Sequence, residues 1–321
     1  MKISTRLSIA CIAAGLCFAG SSVAQETTLR AAVFVPPNTT FGEVFGRFVT
    51  HVNTEGKGLI QINLVGGPSA IPSLEQGNAV RTGVLDIAAV PPSFYAGNMP
   101  EADAVILSPL SFKQQRASGA WDALNKISNQ KMNVWYLAAY GEGIPFHIWT
   151  TKPPQSANFQ GWKLRTVPNY TAFFQALGAA PITMPPGEVK TALERGVVDG
   201  YGWPAVGIFD LGWGADTKYR IDPGFYNVVV NVLVNQTRWK ALRDDQRAFL
   251  TRMGEWLETE NARWAADKTA SEAKRQADAG IKVVNLGPDY VKLAYSAYWA
   301  ELAKRAPESI ALLRPLLERK P

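Results

Sequence analysis

One arginine stands out as the residue whose type and setting could do chemistry. Arg165 lies in the strand-like segment Lys163-Leu164-Arg165-Thr166, which ends at Pro168. An arginine on a strand expected to be buried must be paired or must face a cleft, because an isolated buried charge is costly. Its planar fork of donors is the side-chain group best suited to a carboxylate. Capture of a small organic anion is therefore the chemistry it suggests. Four other side chains are candidates for the walls and rim of such a cleft. Asn38 follows the first expected strand, although an asparagine there also suits the start of the next helix. Glu75 lies near the start of the second helix, where a carboxylate also favours the helix dipole. Tyr95 follows the turn Val90-Pro91-Pro92, and Tyr170 follows Pro168-Asn169. Either tyrosine could line a cleft or pack in the core.

The patterns of common catalysts are missing from the sequence. There are only two histidines, His51 and His147, and neither has a partner set. The sequence contains no HExxH, no phosphate-cradling glycine loop, no GxGxxG after a strand and no Gly-x-Ser-x-Gly. A binding protein is the more economical reading than an enzyme, with no cofactor and no metal expected. An exported enzyme acting on an organic acid remains the alternative. The net charge of +6 is spread over 321 residues without a Lys/Arg-rich run, which argues against a nucleic-acid partner.

Strands and helices alternate along the chain that must hold these residues. Residues 28–35 read as a strand and 39–53 as a helix, with Phe41, Val44, Phe45, Phe48, Val49 and Val52 forming one apolar stripe. Strands at 59–65 and 85–90 flank a helix at 73–82. The result is βαβαβ, which implies a parallel sheet. Further strands are expected at 134–140, 146–151, 163–167 and 197–200. Helices are expected at 170–177 and 186–195, and the valine-dense 226–234 is the most strand-prone segment. From Asp244 to Ala279 there is no proline and one glycine, so a helix of about 50 Å is expected, long enough to run across two lobes. A strand at 281–285 and helices after Pro288 and Pro307 close the chain.

The N-terminus reads as an export signal. Lys2 and Arg6 precede a short apolar stretch from Leu7 to Ala19, and Ser22-Val23-Ala24 supplies small residues for cleavage after Ala24. The apolar run is too short for a membrane anchor. Both cysteines, Cys11 and Cys17, fall within residues 1–24, so a mature chain would have no disulfide.

The stretch Gly161-Trp162-Lys163-Leu164-Arg165, then Leu177-Gly178-Ala179 and Met184-Pro185, then Gly187 through Val198-Asp199-Gly200, resembles the solute-binding proteins of TRAP transporters. These tripartite ATP-independent periplasmic systems include the C4-dicarboxylate-binding type. Gly83-Val84-Leu85-Asp86-Ile87-Ala88 and Trp239-Lys240-Ala241-Leu242 are similar to other parts of that family. The resemblance implies a two-lobed α/β periplasmic binding-protein fold with a long helix spanning both lobes. On that pattern, 25–145 with 232–270 would form lobe I, and 146–231 with 271–321 lobe II. It further implies closure on an organic anion, an arginine at the place of Arg165 that pairs with the ligand carboxylate, and delivery to a two-part membrane permease. Departures from the pattern bear on the ligand. Phe146 stands where dicarboxylate- and sialic-acid-type members carry a second arginine, and Trp203 stands where an asparagine is common. A monocarboxylate with a ring or apolar body is the expectation, with a dicarboxylate or sugar acid as the alternative. A binding protein of an ATP-driven importer and a sensory receptor are the other readings.

Overall fold

The computed structural model describes residues 26–318. The expected signal segment lies outside them. The first half begins with β1 (Thr27–Val33), α1 (Thr40–Glu55), β2 (Ile60–Gly66), α2 (Gln76–Thr82) and β3 (Ile87–Val90). Here the alternation of apolar side chains produces three parallel strands, as expected. The stripe on α1 is buried at every one of its six positions. After an irregular helical segment at Pro100–Leu107 come α3 (Phe112–Ala117), α4 (Ala120–Met132) and β4 (Val134–Tyr140).

The second half supplies β5 (Pro145–Thr150), β6 (Lys163–Thr166), α5 (Pro168–Ala176), β7 (Ala180–Thr183), α6 (Val189–Glu194), β8 (Gly200–Pro204) and β9 (Tyr219–Asn227). Then follow β10 (Val230–Asn235), α7 (Gln236–Ala241), α8 (Asp244–Asp278), β11 (Lys282–Asn285), α9 (Pro288–Arg305) and α10 (Pro307–Glu318). Two sheets result, in the orders β2-β1-β3-β10-β4 and β11-β9-β5-β8-β6-β7. Each organises one lobe.

The chain passes between the sheets at two adjacent places. β4 leads into β5 through residues 141–144, and β9 leads into β10 through Val228 and Val229. The two crossings touch, since the Val228 N–H donates to the Ile144 carbonyl at 2.9 Å. Gly141 holds φ at +106°, and a Cβ there would lie 2.5 Å from Val228 Cγ1. Only glycine fits this crossing without strain. The strand-prone run 226–234 is thus two strands in two sheets, broken where the chain changes lobe.

α8 is the third link. Its N-terminal half packs on β4 and α1. Asn261 Oδ1 accepts from the Gly141 N–H at the crossing, at 3.1 Å. Near its C-terminus, Gln276 donates to the Ala205 carbonyl and accepts from Arg220 in the second sheet. Two departures from the sequence reading follow from tertiary structure. Val197-Val198-Asp199 is a turn, and the strand begins at Gly200. β7 pairs only with β6 at the sheet edge and carries a weak pattern. α10 packs on α9, on α4 and on the 100–107 segment.

Candidate ligand-binding site

A small cavity of about 40 Å³ lies between the lobes. Its walls are mainly aromatic and aliphatic. Phe34, Phe41 and Phe94 come from the first lobe, Phe146, Tyr170 and Trp203 from the second. Val228, Val229 and Val230 of the crossing close its back.

Arg165 is the one cation lining this cavity among the described residues. β6 positions it between β8 and β7, in register with Tyr201 and Ile182. Only 1% of its surface is exposed. Nε donates to the Met184 carbonyl and Nη1 to the Gly202 carbonyl, each at 3.1 Å. These neutral acceptors fix the plane of the guanidinium without neutralising it. Nη2 is buried without a hydrogen-bond partner. Burial lowers the guanidinium to about 10, so it stays charged at neutral pH. A positioned, charged and desolvated donor of this kind is suited to a ligand carboxylate.

The aromatic walls are held just as firmly. Trp203 donates its indole N–H to the Val206 carbonyl at 3.1 Å, so it offers the cavity an apolar ring. It meets Trp213 edge-on at 4.7 Å between ring centroids and the first-lobe Phe41 at 6.5 Å. Tyr170 stacks on Phe174 and meets Phe146 edge-on at 5.2 Å. The phenol of Tyr170 is buried, which pushes its ionisation far up and keeps it neutral.

Arg165, Phe146, Tyr170 and Trp203 therefore converge on one cavity. The other three candidates do not line it. Asn38 is exposed in the turn before α1 and Glu75 in the helical turn before α2, because proximity to a strand end does not by itself bring a side chain inward. Tyr95 is buried, but its hydroxyl is engaged by the Asn231 amide within the first-lobe core. His147 points away from Phe146, towards the Ile221 carbonyl and Asp222, as strand alternation requires. The sequence reading passed over three polar residues in the lining, Ser93, Asp103 and Asn169. Asp103 and Asn169 are both buried, and Asp103 Oδ1 and Asn169 Oδ1 have no hydrogen-bond partner. A carboxylate amid Ala102, Ala104, Val105, Ile106 and Leu107 was the available signal for Asp103. Among the described residues, no cluster of His, Cys, Asp or Glu is arranged to hold a metal ion.

Two α/β lobes, two strand crossings and a cavity between them define a binding-protein class, with the ligand held at the lobe interface. The chain belongs to the bacterial extracellular solute-binding proteins of family 7, whose family model matches residues 31–304. This confirms the resemblance carried by residues 161–200, and it places the chain among solute receptors rather than enzymes. A solute-binding protein of Roseobacter denitrificans is 24% identical over 259 residues, covering 78% of each chain. The structure from that organism with bound L-galactonate superposes with a TM-score of 0.79 at 18% identity, covering 92% of this chain and 99% of that one. A monocarboxylate 2-oxoacid-binding periplasmic protein of a Nostoc species is 28% identical over 194 residues, covering 56% of this chain and 52% of its own. A Bordetella pertussis extracytoplasmic solute receptor binding pyroglutamic acid superposes with a TM-score of 0.78 at 19% identity, covering 90% and 99%. Among the described residues, no helix is long and apolar enough to cross a membrane.

Proposed function

We propose that this protein is the periplasmic receptor of a TRAP transport system, capturing an organic monocarboxylate and delivering it to a two-part membrane permease. Arg165 holds the carboxylate, and Phe146, Tyr170 and Trp203 receive a ring or apolar body. The supporting observation is the Nη2 of Arg165, buried without a partner at the wall of an aromatic cavity. With a single cation in that lining, a second carboxylate would be buried unpaired, which is costly. That favours monocarboxylates over dicarboxylates. Organic acids bound by the related proteins of Bordetella pertussis and Nostoc support the same class. Lobes parting near residues 141–146 and 228–231 would admit the ligand. The export signal at 1–24 fits a receptor of this kind.

The test is a thermal-shift screen of ligand-stripped mature protein against organic anions, with Arg165→Ala in parallel. A ligand at about 100 times its Kd adds roughly 2.7 kcal/mol of stability. Ring-bearing or apolar monocarboxylates are expected to stabilise the parent and to leave the variant unchanged. Stabilisation by dicarboxylates alone would overturn the ligand class, and equal binding by Arg165→Ala would overturn the role of the arginine.

A further inference from the structure

Asp103 lines the same cavity as Arg165. It sits on the 100–107 segment that follows β3, and its side chain is fully buried. Its two oxygens are in different situations. Oδ2 accepts from the Tyr298 hydroxyl of α9 at 2.5 Å, which fixes the plane of the carboxyl group. Oδ1 has no hydrogen-bond partner. Beside it, the unpartnered Asn169 Oδ1 is a second acceptor in the lining. A buried acceptor left unmatched costs free energy, and removing a partner from a charged acceptor costs more than from a neutral one. The cavity therefore carries one unmatched cationic donor, at Arg165, and an unmatched carboxyl oxygen, at Asp103. An apolar body alone would satisfy only the first.

We infer that Asp103 is a specificity-determining binding residue, and that the ligand is a carboxylate carrying an N–H or O–H donor at its far end, directed at Asp103 Oδ1. This rests on the reading of Arg165 as the carboxylate clamp. It narrows the class of ligand, because above pH 8, where the Asp103 carboxyl is ionised, a carboxylate with a ring ether or ester oxygen at the far end would set acceptor against acceptor.

The experiment is titration calorimetry at pH 8.5, where the Asp103 carboxyl is ionised, with matched pairs of monocarboxylates that differ in one donor. Suitable pairs are pyroglutamate and its ring-oxygen analogue 5-oxotetrahydrofuran-2-carboxylate, 3-hydroxybutyrate and 3-methoxybutyrate, and 4-hydroxybenzoate and 4-methoxybenzoate. The parent is expected to favour the donor-bearing member of any pair it binds by about tenfold to a hundredfold. Asp103→Asn keeps an oxygen for the Tyr298 hydroxyl and turns an NH₂ donor to the cavity, so the preference is expected to vanish or reverse in it. Arg165→Ala is expected to lose both members together. Equal affinity for the two members of every bound pair, or a preference unchanged in a folded Asp103→Asn, would overturn this inference while leaving carboxylate capture intact. Absence of binding to all six acids, with binding of uncharged analogues, would overturn the clamp and this inference together.

Discussion

The backbone N–H of Thr40 donates to Asp210 Oδ2 at 2.7 Å, although 170 residues separate them. Thr40 opens α1 in the first lobe, and Asp210 follows β8 in the second. An acidic oxygen at the first N–H of a helix also meets the positive end of the helix dipole. Close by, Phe41 meets Trp203 across the same seam. One charged hydrogen bond and one aromatic contact thus hold the lobes together at the mouth of the cavity.

Removing that bond tests whether it stabilises the ligand-holding arrangement. Asp210 is exposed, so its worth is discounted by solvent to about 1 kcal/mol. Asp210→Ala is expected to weaken ligand binding by about fivefold, mainly through faster release, because the variant spends less time with the lobes together. Asp210→Asn, which retains an acceptor oxygen, is expected to recover part of the loss. Stopped-flow release rates would show this, and identical rates in all three proteins would remove Asp210 from the account of closure.

Asp103 gives the protein a pH dependence with a definite sign. Burial pushes its carboxyl from the ordinary 3.8 up to about 7, opposed by the Tyr298 hydroxyl and the nearby Arg305 guanidinium. The buried phenols of Tyr95, Tyr170, Tyr226 and Tyr298 face the same charge and stay neutral throughout this range. A raised carboxyl means that the folded protein holds a proton the unfolded chain has released. Its contribution is therefore fully present below pH 4 and is lost as pH rises towards 7, with a total on the order of 4 kcal/mol. Relative to Asp103→Asn, the ligand-free parent is expected to lose stability between about pH 4 and 7. Parallel denaturant-unfolding curves for the two proteins across that range would contradict the assignment.

The sequence revealed Arg165 because a charge on an otherwise buried strand demands an explanation. It revealed the parallel strands of the first lobe because alternation and an amphipathic helix carry clear periods. The length of α8 was equally plain, since nothing between Asp244 and Asp278 breaks a helix. Asp103 carried a signal, a carboxylate in an apolar run, but its direction was not legible, because the 100–107 segment is an irregular helical turn whose side chains are nearly all buried. No face-to-face pattern marks one of its positions as facing a cavity. Tyr95 looked equivalent to Tyr170 in sequence, each following a proline turn. Only the tertiary fold decides that one meets Asn231 in the core and the other the cavity wall. The break at Val228 and Val229 was hidden for a similar reason: both residues are strand formers, and the change of sheet is imposed by the paired crossing at 141–144.

Gly202 connects the arginine to the aromatic wall and offers a test of both. Its carbonyl accepts from Arg165 Nη1, and a Cβ at this position would lie 2.7 and 2.8 Å from Tyr170 ring carbons and 3.0 Å from Phe174 Cζ. Those rings are themselves buried and stacked, so they have little room to retreat. Gly202→Ala must move Tyr170 or lift the strand from which Arg165 is held. Overpacking of this size costs about 1–3 kcal/mol of stability. Ligand affinity is expected to fall by about tenfold as the wall shifts, and Tyr170→Leu in the same chain is expected to restore stability by freeing the space the methyl group needs. Calorimetric affinity and thermal unfolding of the single and double variants measure the two effects separately. Unchanged affinity in a destabilised Gly202→Ala would mean that Tyr170 supports the fold of the second lobe without walling the occupied site.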